Sequence, residues 1–192
     1  MSKVDEVLNF WFGKPGTPEY GKPRSMWFKP DPLLDERIRD QFAEVYHFAA
    51  EGILDGWREY PASCLALIIV LDQFPRNLFR GKPEAFATDD RAIQMANYAL
   101  ELGHDRALLP VQRWFIYLPF EHSEQIEDQR KSIELFAGLA EDPDSAPAIV
   151  AARTHFDLIQ TFGRFPHRNQ ILGRQSTPAE VDFLARPDGF KG

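Results

Sequence analysis

The amino-acid sequence predicts an all-α fold, and three observations point to it. Sustained period-2 alternation is missing, and no Asn-Gly or Asp-Gly turn joins two alternating apolar runs. Apolar residues recur instead at three- and four-residue spacing. Capping residues and prolines stand before these stretches and glycines follow them, which is the punctuation of helix starts and stops.

In chain order, Ser2 caps a helix that runs to about Trp11 and stops at Gly13, and a Pro- and Gly-rich loop follows to about Arg24. Asp31-Pro32 supplies an N-cap and a proline at the first helical position. Leu34, Ile38, Phe42, Val45, Phe48 and Ala49 then mark the apolar face of a helix ending near Gly52. Pro61 opens a third helix that is apolar on every side from Cys64 to Leu71, which predicts a central helix surrounded by others. Pro75 makes Phe74 its expected last residue, because the residue before proline is pushed out of the helical region. Thr88 caps a fourth helix that closes at Gly103, and Pro110 starts a fifth that runs into Pro119. Ser123 begins a sixth, to about Ala140, and Pro147 opens a seventh that stops at Gly163. Thr177-Pro178-Ala179-Glu180 is a capping box ahead of a short eighth helix.

No break in composition marks a second domain, so residues 1–192 are expected to form one, with 16 Phe and 4 Trp to fill its core. The net charge of −7 speaks against nucleic acid or an anionic membrane as partner. The longest apolar run, Cys64 to Leu71, falls far short of the ~20 residues that span a bilayer. The N-terminal residues carry Asp5 and Glu6 and do not look like a secretory signal. The lone Cys64 allows no internal disulfide, so a cytoplasmic protein is expected, with Cys64 a small buried hydrophobe. Nothing points to a cofactor: there is no Gly-rich nucleotide loop, no Gly-x-Ser-x-Gly elbow and no His-Glu-x-x-His.

Three places stand out as chemistry. Asp72 directly follows eight apolar residues at the end of a helix expected to be buried, where an unpaired carboxylate is costly and opposes the helix dipole. Its candidate partners are Arg76, Arg164 and Arg168, and the plain alternative to a site is a structural ion pair. Phe120-Glu121-His122-Ser123-Glu124 lies at a helix junction, where Ser123 or Glu124 satisfies the free amides of a helix start or, alternatively, His122 and Glu124 form an acid/base pair. Metal ligation is not expected, because no second histidine sits at i+4 and no Cys pair accompanies it. Gly163-Arg164-Phe165-Pro166-His167-Arg168-Asn169, followed by Arg174, belongs to a stretch from Thr161 to Ala179 with no acidic residue. Its arginine forks suit carboxylate or phosphate. The alternative is that they neutralise Asp72, Glu121 and Glu124 inside the protein.

With these strings in view, the chain resembles an uncharacterised bacterial family known as domain of unknown function 924. The resemblance is carried by Trp11-Phe12-Gly13, Trp27-Phe28, Leu71-Asp72-Gln73-Phe74-Pro75-Arg76-Asn77, Phe86, Pro119-Phe120-Glu121-His122-Ser123-Glu124, His155, Phe162-Gly163-Arg164-Phe165-Pro166-His167-Arg168-Asn169 and Leu172-Gly173-Arg174. It implies an all-α, helical-hairpin (tetratricopeptide-like) superhelix, in keeping with the seven or eight helices read above, and it implies no activity, cofactor or substrate. Function is therefore read from residues alone. The first expectation is a cytosolic binding protein whose groove captures an anionic small molecule or peptide, with Asp72, Arg76, Asn77, His122, Glu124, Arg164, His167, Arg168 and Asn169 as candidate site residues. The alternatives are a small-molecule hydrolase using Asp, Glu and His beside those arginines, and an assembly module with no ligand.

Overall fold

Ser2 begins the first helix through a reciprocal capping box with Asp5, and Gly13 ends it at a positive φ of 84°. In the computed structural model, which describes residues 1–186, this helix is α1 (Lys3–Phe12). It is followed by α2 (Pro32–Ala50), α3 (Pro61–Asp72), α4 (Phe74–Leu78), α5 (Asp89–Glu101), α6 (Pro110–His122), α7 (Ile126–Ala137), α8 (Ala146–Phe162) and α9 (Pro178–Leu184), joined by loops and short 3-10 turns. The fold is all-helical, with no strand among the described residues.

The apolar run builds the centre. Every residue from Cys64 to Leu71 is fully buried, and α1, α2, α5 and α6 pack around α3. The Trp11-Phe12 and Trp27 strings belong to this core: the Trp11 and Trp27 rings stack at 6.3 Å, with Phe74 and Phe115 edge-on to Trp11. Trp27 Nε1 also donates to the Trp11 carbonyl at the end of α1. A second, small cluster of Leu158, Ile159 and Phe165 closes the far end, where α8 packs on α7.

Three boundaries differ from expectation. Phe74 does not end α3; Asp72 does, with Gln73 as its cap, and Phe74 opens the five-residue α4 with Pro75 in its first turn. The proline that stops one helix thus starts another and carries Arg76 with it. Pro119 does not end α6, which continues to His122. The carbonyls at and beyond its end have a donor from α7: Gln129 Nε2, on a fully buried side chain, reaches the Glu121 carbonyl at 2.6 Å and the Ser123 carbonyl at 2.7 Å. Ser123 does not cap α7, which begins at Ile126; the Ser123 hydroxyl instead accepts from Gln125 N.

Candidate functional site

Asp72 sits at the last position of α3 with no exposure to solvent. Because α6 continues past Pro119, its final residue brings His122 against that carboxylate, with Nδ1 at 2.8 Å and 3.0 Å from the two oxygens. Gln73 Nε2 donates to Asp72 Oδ2 at 2.5 Å. Arg76 Nη1 lies 3.5 Å from Asp72 Oδ1 and also donates to the Asp72 carbonyl. Burial alone would raise the pKa of Asp72, but His122, Arg76 and Gln73 outweigh it and hold the carboxyl well below its ordinary range.

A carboxylate can only accept, so His122 donates from Nδ1–H, and its Nε2 keeps a lone pair. Burial and the Arg76 guanidinium lower the His122 pKa against the pull of Asp72, which leaves the ring neutral at pH 7. The side chain is 15% exposed, and Nε2 has no hydrogen-bond partner among the described residues.

Asp89, in the first turn of α5, extends the cluster. Thr88, expected to cap α5, makes no such bond; its hydroxyl donates to the Leu71 carbonyl at 2.6 Å. That tie secures the start of α5 to the end of α3 and sets Asp89 beside Arg76, which grips it with two bonds of 3.0 and 3.2 Å. Arg168 approaches from the opposite side, with Nη1 3.8 Å from Asp89 Oδ2. The Phe86 ring lies 4.6 Å and the Phe165 ring 4.5 Å from the Arg168 guanidinium carbon, and Phe86 lies 5.8 Å from that of Arg76. The two Phe-Pro strings therefore converge, each presenting an arginine to the same carboxylate.

Arg168 is the least satisfied of these groups. Its side chain is 8% exposed, its Nε is buried without a partner, and its guanidinium donates no hydrogen bond among the described residues. Burial and then the neighbouring Arg76 lower its pKa to about 10.

The remaining candidates lie elsewhere. Arg164 turns away to Glu180, which it holds at 2.7 and 2.8 Å, and to the Gln175 carbonyl. Asn77 belongs with Arg80 around Asp35 of α2. Glu124 accepts from Arg174 at 2.6 and 3.0 Å and from Phe165 N, and Arg174 Nε reaches Asn169 Oδ1. These bonds pin the loop that carries Arg168. His167 borders a pocket of about 370 Å³ with Pro166, Gln170, Ser176 and Leu184. Another, of about 250 Å³, lies near Asn9, Tyr20 and Gln112, and neither is lined by Asp72, His122 or Arg168. No group of three His, Cys, Asp or Glu among the described residues is arranged to hold a metal ion.

The sequence alone does not single out Asp89 or Gln73 as site residues, nor does it pair Arg174 with Glu124. Asp89 was masked as an ordinary acidic residue of a helix start. Arg174 stood in the acid-free stretch, but its partner Glu124 is 50 positions away.

The family described as "Bacterial protein of unknown function (DUF924)" matches residues 7–188. The chain belongs to this family. A solved structure described as "Structure of Protein of Unknown Function ATU0120 from Agrobacterium tumefaciens" is similar at 39% identity and a TM-score of 0.84, over 95% of this chain and 96% of that one. No curated protein matches. No helix among the described residues of this DUF924 member is long and apolar enough to cross a membrane.

Proposed function

We propose that this DUF924 protein acts in the cytoplasm as a binder of an anionic small molecule or peptide terminus, captured at Arg168. The arrangement of α6, α7 and α8 as successive packed neighbours is read as part of a helical-hairpin framework that presents the site. One observation carries the proposal: a guanidinium more than nine-tenths buried that makes no hydrogen bond among the described residues. Leaving such donors unmatched is costly, and a carboxylate or phosphate would supply acceptors in the fork geometry that a guanidinium prefers. The two phenylalanine rings occupy its neighbourhood and limit approach to an edge.

Arg76 is the secondary contributor, since most of its donors are engaged by Asp89 and Asp72. Arg164 drops out of the binding set because Glu180 already occupies its fork.

A thermal-shift screen of phosphate, benzoate, succinate and a short acidic peptide is the test. A ligand at about 100 times its dissociation constant adds ~2.7 kcal/mol, which raises Tm by roughly 5 to 10 °C for a domain of this size. The shift should vanish in Arg168→Gln and persist in Arg164→Gln. A screen in which no anion raises Tm by more than 1 °C would remove the reading.

A further inference from the structure

We propose that the Asp72–His122 pair is a general base, so that the protein hydrolyses an ester whose anionic portion is held at Arg168. This rests on the anion-capture reading above and adds chemistry to it. His122 spends Nδ1 on a fully buried carboxylate and leaves Nε2 without a partner among the described residues, on a side chain that is 15% exposed. Asp72 fixes the tautomer and the ring plane, and Gln73 holds the second carboxylate oxygen.

The pair is connected to Arg168 by an unbroken chain of charge contacts. Asp72 meets Arg76 at 3.5 Å, Arg76 meets Asp89 at 3.0 Å, and Asp89 meets Arg168 at 3.8 Å. The base, at the meeting of α3, α4, α5 and α6, is thereby linked to the anion site on the 3-10 turn that follows α8. The burial and positive neighbour that keep His122 neutral also keep its base form available at pH 7.

In the reaction, Nε2 accepts a proton from water as the water oxygen bonds to the ester carbonyl carbon. The imidazolium, stabilised by Asp72, returns that proton to the departing alkoxide as the C–O bond breaks. The products are a carboxylic acid and an alcohol, and water is the only co-reactant. Arg168 holds the anionic group remote from the ester. Asp72 is a positioning residue that acts through His122.

The test uses the intact protein with 4-acetoxybenzoate, whose carboxylate lies too far from its ester to assist cleavage, and neutral phenyl acetate as comparison. The expected result is turnover of 4-acetoxybenzoate with kcat/KM at least tenfold above that of phenyl acetate. His122→Gln should lower it about 100-fold or more, and the Arg168→Gln loss should fall mainly on KM. Nitrogen-15 NMR of the wild-type imidazoles gives a second measurement that needs no variant: above pH 6.5, His122 should show a protonated Nδ1 and an unprotonated Nε2. Failure to cleave 4-acetoxybenzoate above the protein-free rate, activity within twofold of wild type in His122→Gln, or a protonated Nε2 would each overturn the proposal. A benzoate-induced rise in Tm separates the two readings: if it remains while turnover is absent, the base falls and anion capture stands.

Discussion

Arg164 and Arg168 lie one helical turn apart in sequence, inside the same acid-free stretch, yet their surroundings are opposite. Arg164 completes a fork with Glu180, the first acid beyond that stretch, whereas Arg168 is more deeply buried and makes no hydrogen bond among the described residues. Replacing Arg168 with Met removes a poorly satisfied charge and should leave Tm unchanged or raised, as is common at sites kept for function. Arg164→Met strands a carboxylate and should lower Tm; the opposite ranking in a melting experiment would assign Arg168 a structural role. His167 makes a pH prediction. Burial, then Arg168 and His155, push its pKa down to about 4, below the ~6.5 of an unfolded histidine. The unfolded chain therefore binds more protons between those values, so the stabilisation is full above pH 6.5 and is lost as pH falls toward 4. Unfolding free energies from urea denaturation at pH 7.5 and 5.0 should differ by about 1 to 2 kcal/mol more in wild type than in His167→Gln. Below pH 4.5 the depressed carboxylates of Asp72, Glu124 and Glu180 extend the same loss, because their stabilisation is present above the unfolded pKa and disappears as they protonate.

At the scale of elements, the junction between α6 and α7 decides the site. Had α6 stopped at Pro119, Glu121 and His122 would lie in a loop, and the 2.8 Å bond to Asp72 would depend on an unsupported chain. Gln129 prevents this by donating to the carbonyls beyond the proline. Gln129→Met, close in volume but without a donor, should cost about 1 to 3 kcal/mol in chemical denaturation and weaken whatever His122 does. A variant as stable as wild type would show that water replaces the amide. Thr88 works similarly at the other side, trading a conventional cap for a bond to the Leu71 carbonyl that fixes α5 against α3. The Thr88 bond spans 17 positions and the Gln129 bonds eight and six, all beyond the three-residue reach of a capping side chain, and for that reason capping rules misplace them.

At the scale of the molecule, the all-apolar α3 is the axis on which the other helices are laid, and it delivers Asp72 to the edge of the core. Cys64 shares that burial, which pushes its thiol pKa up to about 12. Thiol reagents should leave the native protein unlabelled at pH 8 and react only on denaturation. Rapid native labelling would show that the surroundings of α3 open readily.

Much of the fold was legible in the sequence because helix boundaries are local. Ser2, Asp31-Pro32, Pro61, Gly163 and the Thr177–Glu180 box act within a few residues of where they stand, and the run from Cys64 to Leu71 fixes a buried helix by its own composition. The sequence also singled out Asp72, His122 and Arg168, since a carboxylate after an apolar run and arginines without acids are anomalies visible at short range. Only the tertiary structure decided their pairing. The Asp72–His122 bond spans 50 residues, as does Glu124–Arg174, and Arg168 meets Asp89 across 79 positions (168 − 89). Charges choose partners by distance and burial after the helices pack, and neither quantity exists until the core has formed.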